Sequence, residues 1–376
     1  MMPTDDTSIT FHSFLSAILE VAWSPEGTSL ACSAVGGKIS LIDTTTGLLV
    51  VTYRSFDGRA GGLFFSPDSH RVAQLDEDGI EIWNVLTHER FYVSMNETRE
   101  VVQELTEPSE ESDRSLYSWS PNGKQIAVRV YGSREDVTSG LALSVGDPER
   151  RAGHEYYTLI QIWESESFWE SHTPRLYRTL VLISGSGIGP GISCTSWSPD
   201  GKILAIGQRT LVHLWKPQTE RVVATYTSGI KQGPEDLRDF FNDIASIDRI
   251  YWSPDGLFLA CVGHIGIEIW EISTGEKFVT YYEHISAIVD VKWLMEKETI
   301  VSVDQDDIHV WHFRDGRVLQ KVRIPYPRGE EDSVLFTAAL SPDLSALACA
   351  GYKGRGPLTE EVEGILWIWR HNREFM

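Results

Sequence analysis

The chain has 376 residues, of which 33 are basic and 54 acidic, so its net charge is −21 at pH 7, and 41% of its residues are hydrophobic. A chain this acidic, with no basic run, disfavours nucleic-acid binding because phosphate backbones would be repelled. No run of about 20 apolar residues predicts a membrane span, and the acidic start does not resemble a secretory signal. We therefore expect a cytoplasmic protein that has no membrane partner.

A short turn sequence recurs along the chain. Most copies have an aromatic residue followed by Ser-Pro, an acidic residue or Asn, and Gly. The Ser hydroxyl can bond to the nearby backbone, Pro fixes φ at the second position of the turn, and Gly closes it. Each copy therefore predicts a tight turn between two strands. Six copies, followed by one degraded copy, begin at Trp23, Phe65, Trp119, Trp197, Trp252, Leu340 and Trp293.

A second motif, in which an apolar residue, any residue and an apolar residue precede Trp, follows each turn. Its alternation predicts a strand with one buried face. We call the residue that begins each turn the first anchor and the last residue of this motif the second anchor. In five of the seven repeats the second anchor lies 18 or 19 residues after the first, as in 65 to 83 and 252 to 270. Six copies end in Trp, and the first copy ends in Ile42 instead. The six are Trp83, Trp163, Trp215, Trp270, Trp311 and Trp369.

Seven such units predict the fold class. A repeat of roughly 40 to 45 residues with four strands is typical of a β-propeller blade. We therefore predict an all-β protein, a single seven-bladed β-propeller domain of four-stranded antiparallel blades over residues 1–376.

The two ends of the chain predict how the last blade is completed. Phe11 precedes Trp23 by 12 residues, which is also the spacing between the last strand of the first repeat and the next turn. Only seven residues follow Trp369, too few for a turn and a strand. We predict that an N-terminal strand over residues 8–13 pairs with residues 366–369 and covers an exposed sheet edge.

Extra residues between the strands predict where the protein could bind a partner. The main insertions are an acidic one at 96–115, one in the third blade at 131–157 and one at 228–248, where residues 233–244 predict a short helix. Long loops in compact folds are usually functional or disordered, and these connections should share one face. Aromatic and Arg side chains are favoured binding anchors. The predicted partner-binding residues are Tyr131, Arg134, Tyr156, Tyr157, Tyr326, Arg328, Tyr352 and Arg355.

The spacing of the two anchors resembles that of the WD-repeat family over essentially the whole chain. The resemblance implies a non-enzymatic interaction scaffold. In that family a His, a Ser or Thr, an Asp and the Trp often form a hydrogen-bonded tetrad that braces each blade. The sixth repeat alone offers all four residues, which are His284, Ser302, Asp306 and Trp311.

The residues that could perform chemistry do not form a recognisable motif. There is no metal-binding spacing, so we expect no metal, cofactor or catalytic residue. His213 and His309 occupy equivalent strand positions in different repeats, and we expect both to face outward. Cys32, Cys261 and Cys349 follow Leu-Ala in equivalent strands. Such sites on neighbouring blades should lie about 10 Å apart, too far for a disulfide, which predicts buried free thiols.

These observations favour a scaffold that binds a protein or peptide through loops on one face, as a monomer or in a hetero-complex. An acidic surface can attract a basic partner, although it also simply keeps a protein soluble. Two alternatives stay open, since fold alone does not decide function. The first is a propeller enzyme or small-ligand sensor that uses the central channel, and the second is a sensor module of a larger signalling system.

Overall fold

The structure, a computed structural model, describes most of the chain. Within this part the chain forms 28 β-strands, and a 3-10 turn at Met295–Lys297 follows β22. The described residues are 7–14, 16–55, 62–75, 79–94, 117–132, 157–167, 175–183, 192–230, 246–324, 333–354 and 362–370.

The strands form seven four-stranded antiparallel sheets, the blades, numbered here in chain order. Blade 1 consists of β2 (Ile18–Trp23), β3 (Ser29–Ala34), β4 (Lys38–Asp43) and β5 (Leu49–Arg54). Blade 2 consists of β6 (Leu63–Phe65), β7 (Arg71–Leu75), β8 (Gly79–Asn84) and β9 (Arg90–Ser94). Blade 3 consists of β10 (Tyr117–Trp119), β11 (Gln125–Gly132), β12 (Tyr157–Glu164) and β13 (Arg175–Ile183).

The remaining four blades follow the same plan. Blade 4 consists of β14 (Ile192–Trp197), β15 (Leu204–Gln208), β16 (Leu211–Lys216) and β17 (Arg221–Thr227). Blade 5 consists of β18 (Arg249–Trp252), β19 (Phe258–Val262), β20 (Ile267–Glu271) and β21 (Lys277–Tyr281). Blade 6 consists of β22 (Ile288–Leu294), β23 (Thr299–Asp304), β24 (Asp307–His312) and β25 (Val318–Arg323). Blade 7 consists of β26 (Ser333–Leu340), β27 (Ala346–Lys353), β28 (Glu363–Arg370) and β1 (Thr7–Phe14).

This architecture confirms the predicted fold class, an all-β propeller of seven four-stranded antiparallel blades. The contacts between residues group the chain into two compact units. One unit comprises residues 1–77, 81–90 and 283–376, and therefore holds blades 1, 6 and 7 and most of blade 2. The other comprises residues 78–80 and 91–282 and holds blades 3, 4 and 5.

The N-terminal strand completes blade 7, as predicted. β1 pairs antiparallel with β28, and its register places Ile9 opposite Ile368 and Phe11 opposite Leu366. β27 pairs with the other edge of β28. The outer strand of the last sheet therefore comes from the beginning of the chain.

Position within a blade decides how each strand is buried. The second and third strands have neighbours on both sides and are almost continuously buried, as in β19, where all five residues are buried. The fourth strand is an edge, and β17 alternates exposed and partly buried residues until its buried Tyr226. Strands with two covered faces read as apolar runs, and a strand with one covered face alternates. This difference explains why the second and third strands carry the apolar runs in the sequence.

The Ser-Pro turns form as expected, with an additional side-chain bond. In blade 5, Ser253 Oγ accepts a hydrogen bond from the Phe258 backbone N at 2.8 Å and donates to Asp255 Oδ1 at 2.6 Å. Gly256 has a φ of 72°, which an L-residue adopts only at a cost. The turn is therefore fixed by the hydroxyl, the acid and the glycine together.

Three of the Trp residues that begin the turns connect adjacent blades. Trp197 Nε1 donates to the Ser118 carbonyl at 3.1 Å, and Trp252 Nε1 donates to the Ser196 carbonyl at 3.0 Å. Trp23 makes the equivalent bond, at 2.8 Å, to Ala339 in blade 7. Each acceptor lies just before the first anchor of the preceding blade. In these three blades the Trp indole therefore satisfies a backbone carbonyl of the preceding blade.

Several predicted features lie outside the described residues. They include the acidic insertion at 96–115 and the helix predicted at 233–244, which is the middle of the 228–248 insertion. The third-blade insertion is shorter than the predicted 131–157. β11 continues to Gly132 and β12 begins at Tyr157, and these two residues pair with each other.

Candidate functional site

A hydrogen-bonded network of buried side chains occupies blade 6. His284 Nε2 lies 2.7 Å from Ser302 Oγ, and the Trp311 indole donates to the same hydroxyl at 3.0 Å. His284 Nδ1 lies 2.8 Å from Asp304 Oδ2, and both side chains are fully buried. The network links the segment before β22 with β23 and β24. It therefore ties the sheet together across its strands.

The acid in this network differs from the predicted one. Asp304 bonds to His284, whereas the Asp306 carboxylate lies 3.3 Å from Arg323 Nη2. Asp304 ends β23 with its side chain inward, and its Oδ1 accepts hydrogen bonds at 2.7 Å from the backbone N of Asp306 and of Asp307. The prediction of Asp306 is wrong because Asp306 belongs to the hairpin that Asp304 supports.

The environment of Asp304 keeps it charged. Burial alone would raise the pKa of Asp304, but the hydrogen bonds from His284 and from two backbone N–H groups outweigh burial and hold the pKa below its ordinary value. A carboxylate that accepts several hydrogen bonds is stabilised in its ionised form. The inner part of blade 6 therefore contains a fixed negative charge.

His309 lies against this network. Its ring stacks on the His284 ring with centroids 4.0 Å apart and planes 6° apart. Burial, and then the neighbouring His284 and Lys321, lower the pKa of His309 to about 3. Both His309 and His213 are 2% exposed, so the expectation that they face outward is wrong. They stand on third strands, and third strands are covered on both faces.

The nitrogen and oxygen atoms of His284, Asp304 and His309 lie within 4.8 Å of one another, close enough to raise the question of a metal. Both nitrogens of His284 already have hydrogen-bond partners. In two parallel stacked rings the in-plane lone pairs point side by side and do not converge on one ion. The arrangement fits a structural brace better than a metal centre.

Buried carboxylates take the same strand position in blades 2 and 5, two residues before the second Trp. Glu268 is fully buried, and its Oε1 accepts hydrogen bonds from Lys277 Nζ at 2.8 Å and from the Gly229 backbone N at 3.0 Å. In blade 2, Glu81 pairs with Arg90 at 3.4 Å. Both cations come nine residues after the acid, on the fourth strand. Sequence reasoning missed these pairs, although the recurring nine-residue spacing was visible.

Neutral groups serve at this position in two other blades. His213 Nδ1 lies 3.1 Å from Thr225 Oγ1, and its Nε2 lies 3.1 Å from Gln208 Oε1. Burial lowers the pKa of His213, so the ring is favoured in its neutral form. Ser40 and Thr52 hydroxyls lie 3.4 Å apart in blade 1. Different chemistry therefore ties the third strand to its neighbours from blade to blade.

An open cavity of about 400 Å³ lies between blades 7 and 1, among the turns that connect their strands. Both blades belong to the same compact unit. The cavity combines an aromatic ring, two carboxylates and a guanidinium. We call it the wedge cavity, and the residues that define it are Trp23, Glu26, Thr44, Pro342, Asp343 and Arg370.

The structure gives one clear answer about the predicted partner-binding residues. Tyr352 is buried at 8% exposure and its ring centroid lies 5.1 Å from that of Phe336, so its assignment as an exposed contact residue is wrong. The reason is that β27 extends to Lys353 and keeps Tyr352 inside the sheet. Tyr131 and Tyr157 also belong to strands, β11 and β12. The other predicted contacts lie outside the described residues: Arg134, Tyr156, Tyr326, Arg328 and Arg355.

All cysteines of the chain are buried and unpaired, as expected for those in the repeats. Burial raises the pKa of each thiol, to about 12 for Cys194 and Cys349. Neutral buried thiols are poor nucleophiles and metal ligands. Among the described residues, no helix has the length and apolar character needed to span a membrane.

Comparisons with known proteins give distant relatives. No protein-family model matches the chain. The chain is 24% identical over 287 residues to telomerase protein component 1 of Mus musculus, which covers 74% of this chain and 10% of the relative. It is 26% identical over 241 residues to protein ROOT INITIATION DEFECTIVE 3 of Arabidopsis thaliana, which covers 58% of this chain and 53% of the relative.

A third relative, telomerase protein component 1 of Rattus norvegicus, is 23% identical over 232 residues, or 61% of this chain and 8% of the relative. The matched regions thus span from about a tenth to about half the length of these proteins. The chain is similar to them at low identity over much of its length, and its likeness to the WD-repeat family depends on its own repeats.

Proposed function

We propose that this protein is a non-enzymatic scaffold that holds a protein or peptide partner on the turns and loops of its blades. The observation that carries the proposal is how the buried polar side chains are used. In five blades they bond one strand to another, and their centres are Ser40, Glu81, His213, Glu268 and His284. These groups stabilise a rigid frame, which leaves recognition to the turns and loops.

Three further observations support this proposal. One relative is by name a protein component of a telomerase, which supports a role for this chain in binding other proteins. The net charge of −21 favours a basic partner, because it would accelerate the encounter with one. Free buried thiols support a cytoplasmic setting, where thiols stay reduced. We expect the protein to act as a monomer or as one subunit of a hetero-complex.

The test is partner capture with loop variants. In one variant of the chain, the arginines that the sequence predicts as contacts, Arg134, Arg328 and Arg355, become Ser. In a charge-matched control, the exposed basic residues Arg54, Lys216 and Arg221 become Ser. Captured proteins are identified, purified and titrated against each variant by calorimetry.

We expect the variant without the three arginines to bind the purified partner with an affinity lower by about tenfold or more. Arg is a frequent binding anchor, and its loss often costs more than about 1 kcal/mol of binding free energy. The control should bind as the unchanged protein does. Recovery of no stoichiometric partner would contradict the proposal, and equal binding by both variants would rule out these arginines as its contacts.

A further inference from the structure

Blades 7 and 1, which border the wedge cavity, depart from the repeat. The second anchor of blade 1 is Ile42, whereas the other blades have Trp. In blades 2 and 5 that Trp stacks on a Tyr of the preceding blade, with ring centroids 5.5 Å apart for Tyr53 and Trp83 and 5.3 Å apart for Tyr226 and Trp270. The space between blades 7 and 1 therefore receives a smaller side chain at this position.

A second departure removes bulk from the lining itself. Ala346 lines the cavity, and the residue five positions after the turn Ser is Ile203 in blade 4 and Phe258 in blade 5. Trp23 is partly exposed, whereas Trp197 and Trp252 are only 6% and 9% exposed. The partly exposed Trp23 indole is therefore accessible from the cavity that it lines.

Arg370 makes the connection between blades that a tyrosine makes elsewhere. Tyr226 donates its hydroxyl to the Ile272 carbonyl of the next blade at 3.2 Å. At the corresponding register position β1 has Phe11, which has no hydroxyl. Arg370 Nη2 instead donates to the Thr44 carbonyl. Thr44 corresponds to Ile272, because each lies two residues after the second anchor of its blade. The guanidinium is thereby held against the backbone at one side of the cavity.

The two carboxylates of the cavity differ in how they are engaged. In five turns a Ser hydroxyl donates to the Asp or Asn two residues later, and Ser341 donates to Asp343 Oδ1 at 2.6 Å in this way. Blade 1 has the longer Glu26 at that position. Among the described residues, no hydrogen bond to the Glu26 carboxylate is formed, so it is available to a ligand.

The charge of the lining is net negative. Burial by itself would raise the pKa of Asp343, but hydrogen bonds from Ser341 and Ser345 outweigh it and hold the pKa below its ordinary value. Glu26 and Asp343 thus contribute two negative charges against the single positive charge of Arg370. Trp23 and Pro342 add apolar surface beside them. An aromatic face with nearby carboxylates is a suitable environment for a cation that has an aliphatic stem.

We propose that the wedge cavity binds a Lys or Arg side chain of the partner, an inference that deepens the proposed scaffold function and rests on it. The aliphatic stem packs against Trp23 and Pro342, and the cationic head lies between Glu26 and Asp343. The acidity of the whole chain favours the same kind of ligand. The site lies on Ser-Pro turns and not on the insertions that the sequence indicated.

The test uses the full chain with 5-fluorotryptophan and follows the Trp23 resonance by fluorine NMR, assigned with W23F. The probes are N-acetyl-lysine amide and N-acetyl-arginine amide, and the neutral control is N-acetyl-glutamine amide. We expect both cations to shift the Trp23 resonance to saturation. The neutral probe should leave it in place.

The variant E26Q/D343N removes the two charges and keeps the side-chain sizes. Asn is compatible with this turn, since Ser120 donates to Asn122 Oδ1 at 2.8 Å in blade 3. The matched control D200N/D255N removes two charges from equivalent turns of other blades. Two partly exposed ion pairs of usual strength correspond to a loss of about twofold to thirtyfold in affinity. We expect that loss in the first variant and none in the second.

Equal binding of the glutamine probe, equal weakening in both variants, or a shift of another Trp in place of Trp23 would overturn the cation site. The outcome is separate from that of partner capture. If a partner is captured and E26Q/D343N binds it as strongly as the unchanged protein, the cavity proposal fails and the scaffold function stands. If the cationic probes bind and no partner is recovered, the scaffold function fails.

Discussion

Replacing Asp304 with Asn tests whether the blade 6 network braces the sheet. Asn has the same shape as Asp but no charge and only one side-chain oxygen. The Asp304 carboxylate uses one oxygen toward His284 and the other toward two backbone N–H groups. Removing one partner of a buried charged network costs about 3–5 kcal/mol. Because the amide oxygen can still accept the backbone hydrogen bonds, we expect a loss of about 2–4 kcal/mol in the free energy of unfolding.

The assay is thermal unfolding followed by circular dichroism. An unfolding entropy of about 2.1 cal/mol/K per residue gives about 0.8 kcal/mol/K for a chain of this length, so Tm should fall by about 3–5 °C. The matched control is D306N, two residues later, whose carboxylate is 26% exposed and contacts Arg323. An exposed pair contributes less than about 1 kcal/mol, so Tm should fall by about 1 °C at most. An equal or larger fall for D306N would refute the role given to Asp304.

Three other predictions follow from buried groups and from β1. The pKa of His309 is about 3 in the folded state, below its ordinary value of about 6.5. Between these two pH values the unfolded chain binds more protons than the folded chain. The free energy of unfolding therefore falls as pH drops below about 6.5. H309Q should therefore lose less Tm than the unchanged protein between pH 7.5 and 5, with His284, Asp304 and Lys321 still facing the site; an identical loss would contradict this. Burial and a raised pKa should protect every thiol from iodoacetamide at pH 8 in the folded state, namely Cys32, Cys194, Cys261 and Cys349. All four thiols should react in urea. Modification of any of them without urea would show that it is accessible. Deleting residues 1–14 exposes the edge of β28 and should lower Tm, a synthetic peptide of residues 7–14 should restore it, and an unchanged Tm after deletion would argue against the pairing of β1.

Some of these features were present in the sequence alone. The Ser-Pro turns and the Trp spacing predicted the blades because a turn and its two strands are local, and their signals lie within about 20 residues. The position of Phe11 and the short segment after Trp369 predicted that β1 completes blade 7. The repeated Leu-Ala-Cys predicted buried thiols, since an equivalent position in a repeated sheet has an equivalent environment.

The candidate site was harder to predict because it depends on side-chain direction across strands. Asp304 and Asp306 are two residues apart in one hairpin, and only the pairing of β23 with its neighbours shows that Asp304 faces His284. Tyr352 belonged to a predicted loop, yet the extension of β27 placed it in the core. Strand ends are decided by pairing with distant residues, which local sequence does not reveal.

The wedge cavity shows where the two levels separate. The sequence by itself determined that blade 1 has Ile42 in place of Trp and Glu26 in place of Asp. Only the tertiary structure decided that Glu26 lines one space between blades 7 and 1 together with Arg370, which is more than 300 residues away in the chain. Ile42 instead packs in the core that the two blades share. The physical reason is that periodicity along the chain fixes each sheet, whereas the packing of one sheet on the next decides which side chains meet.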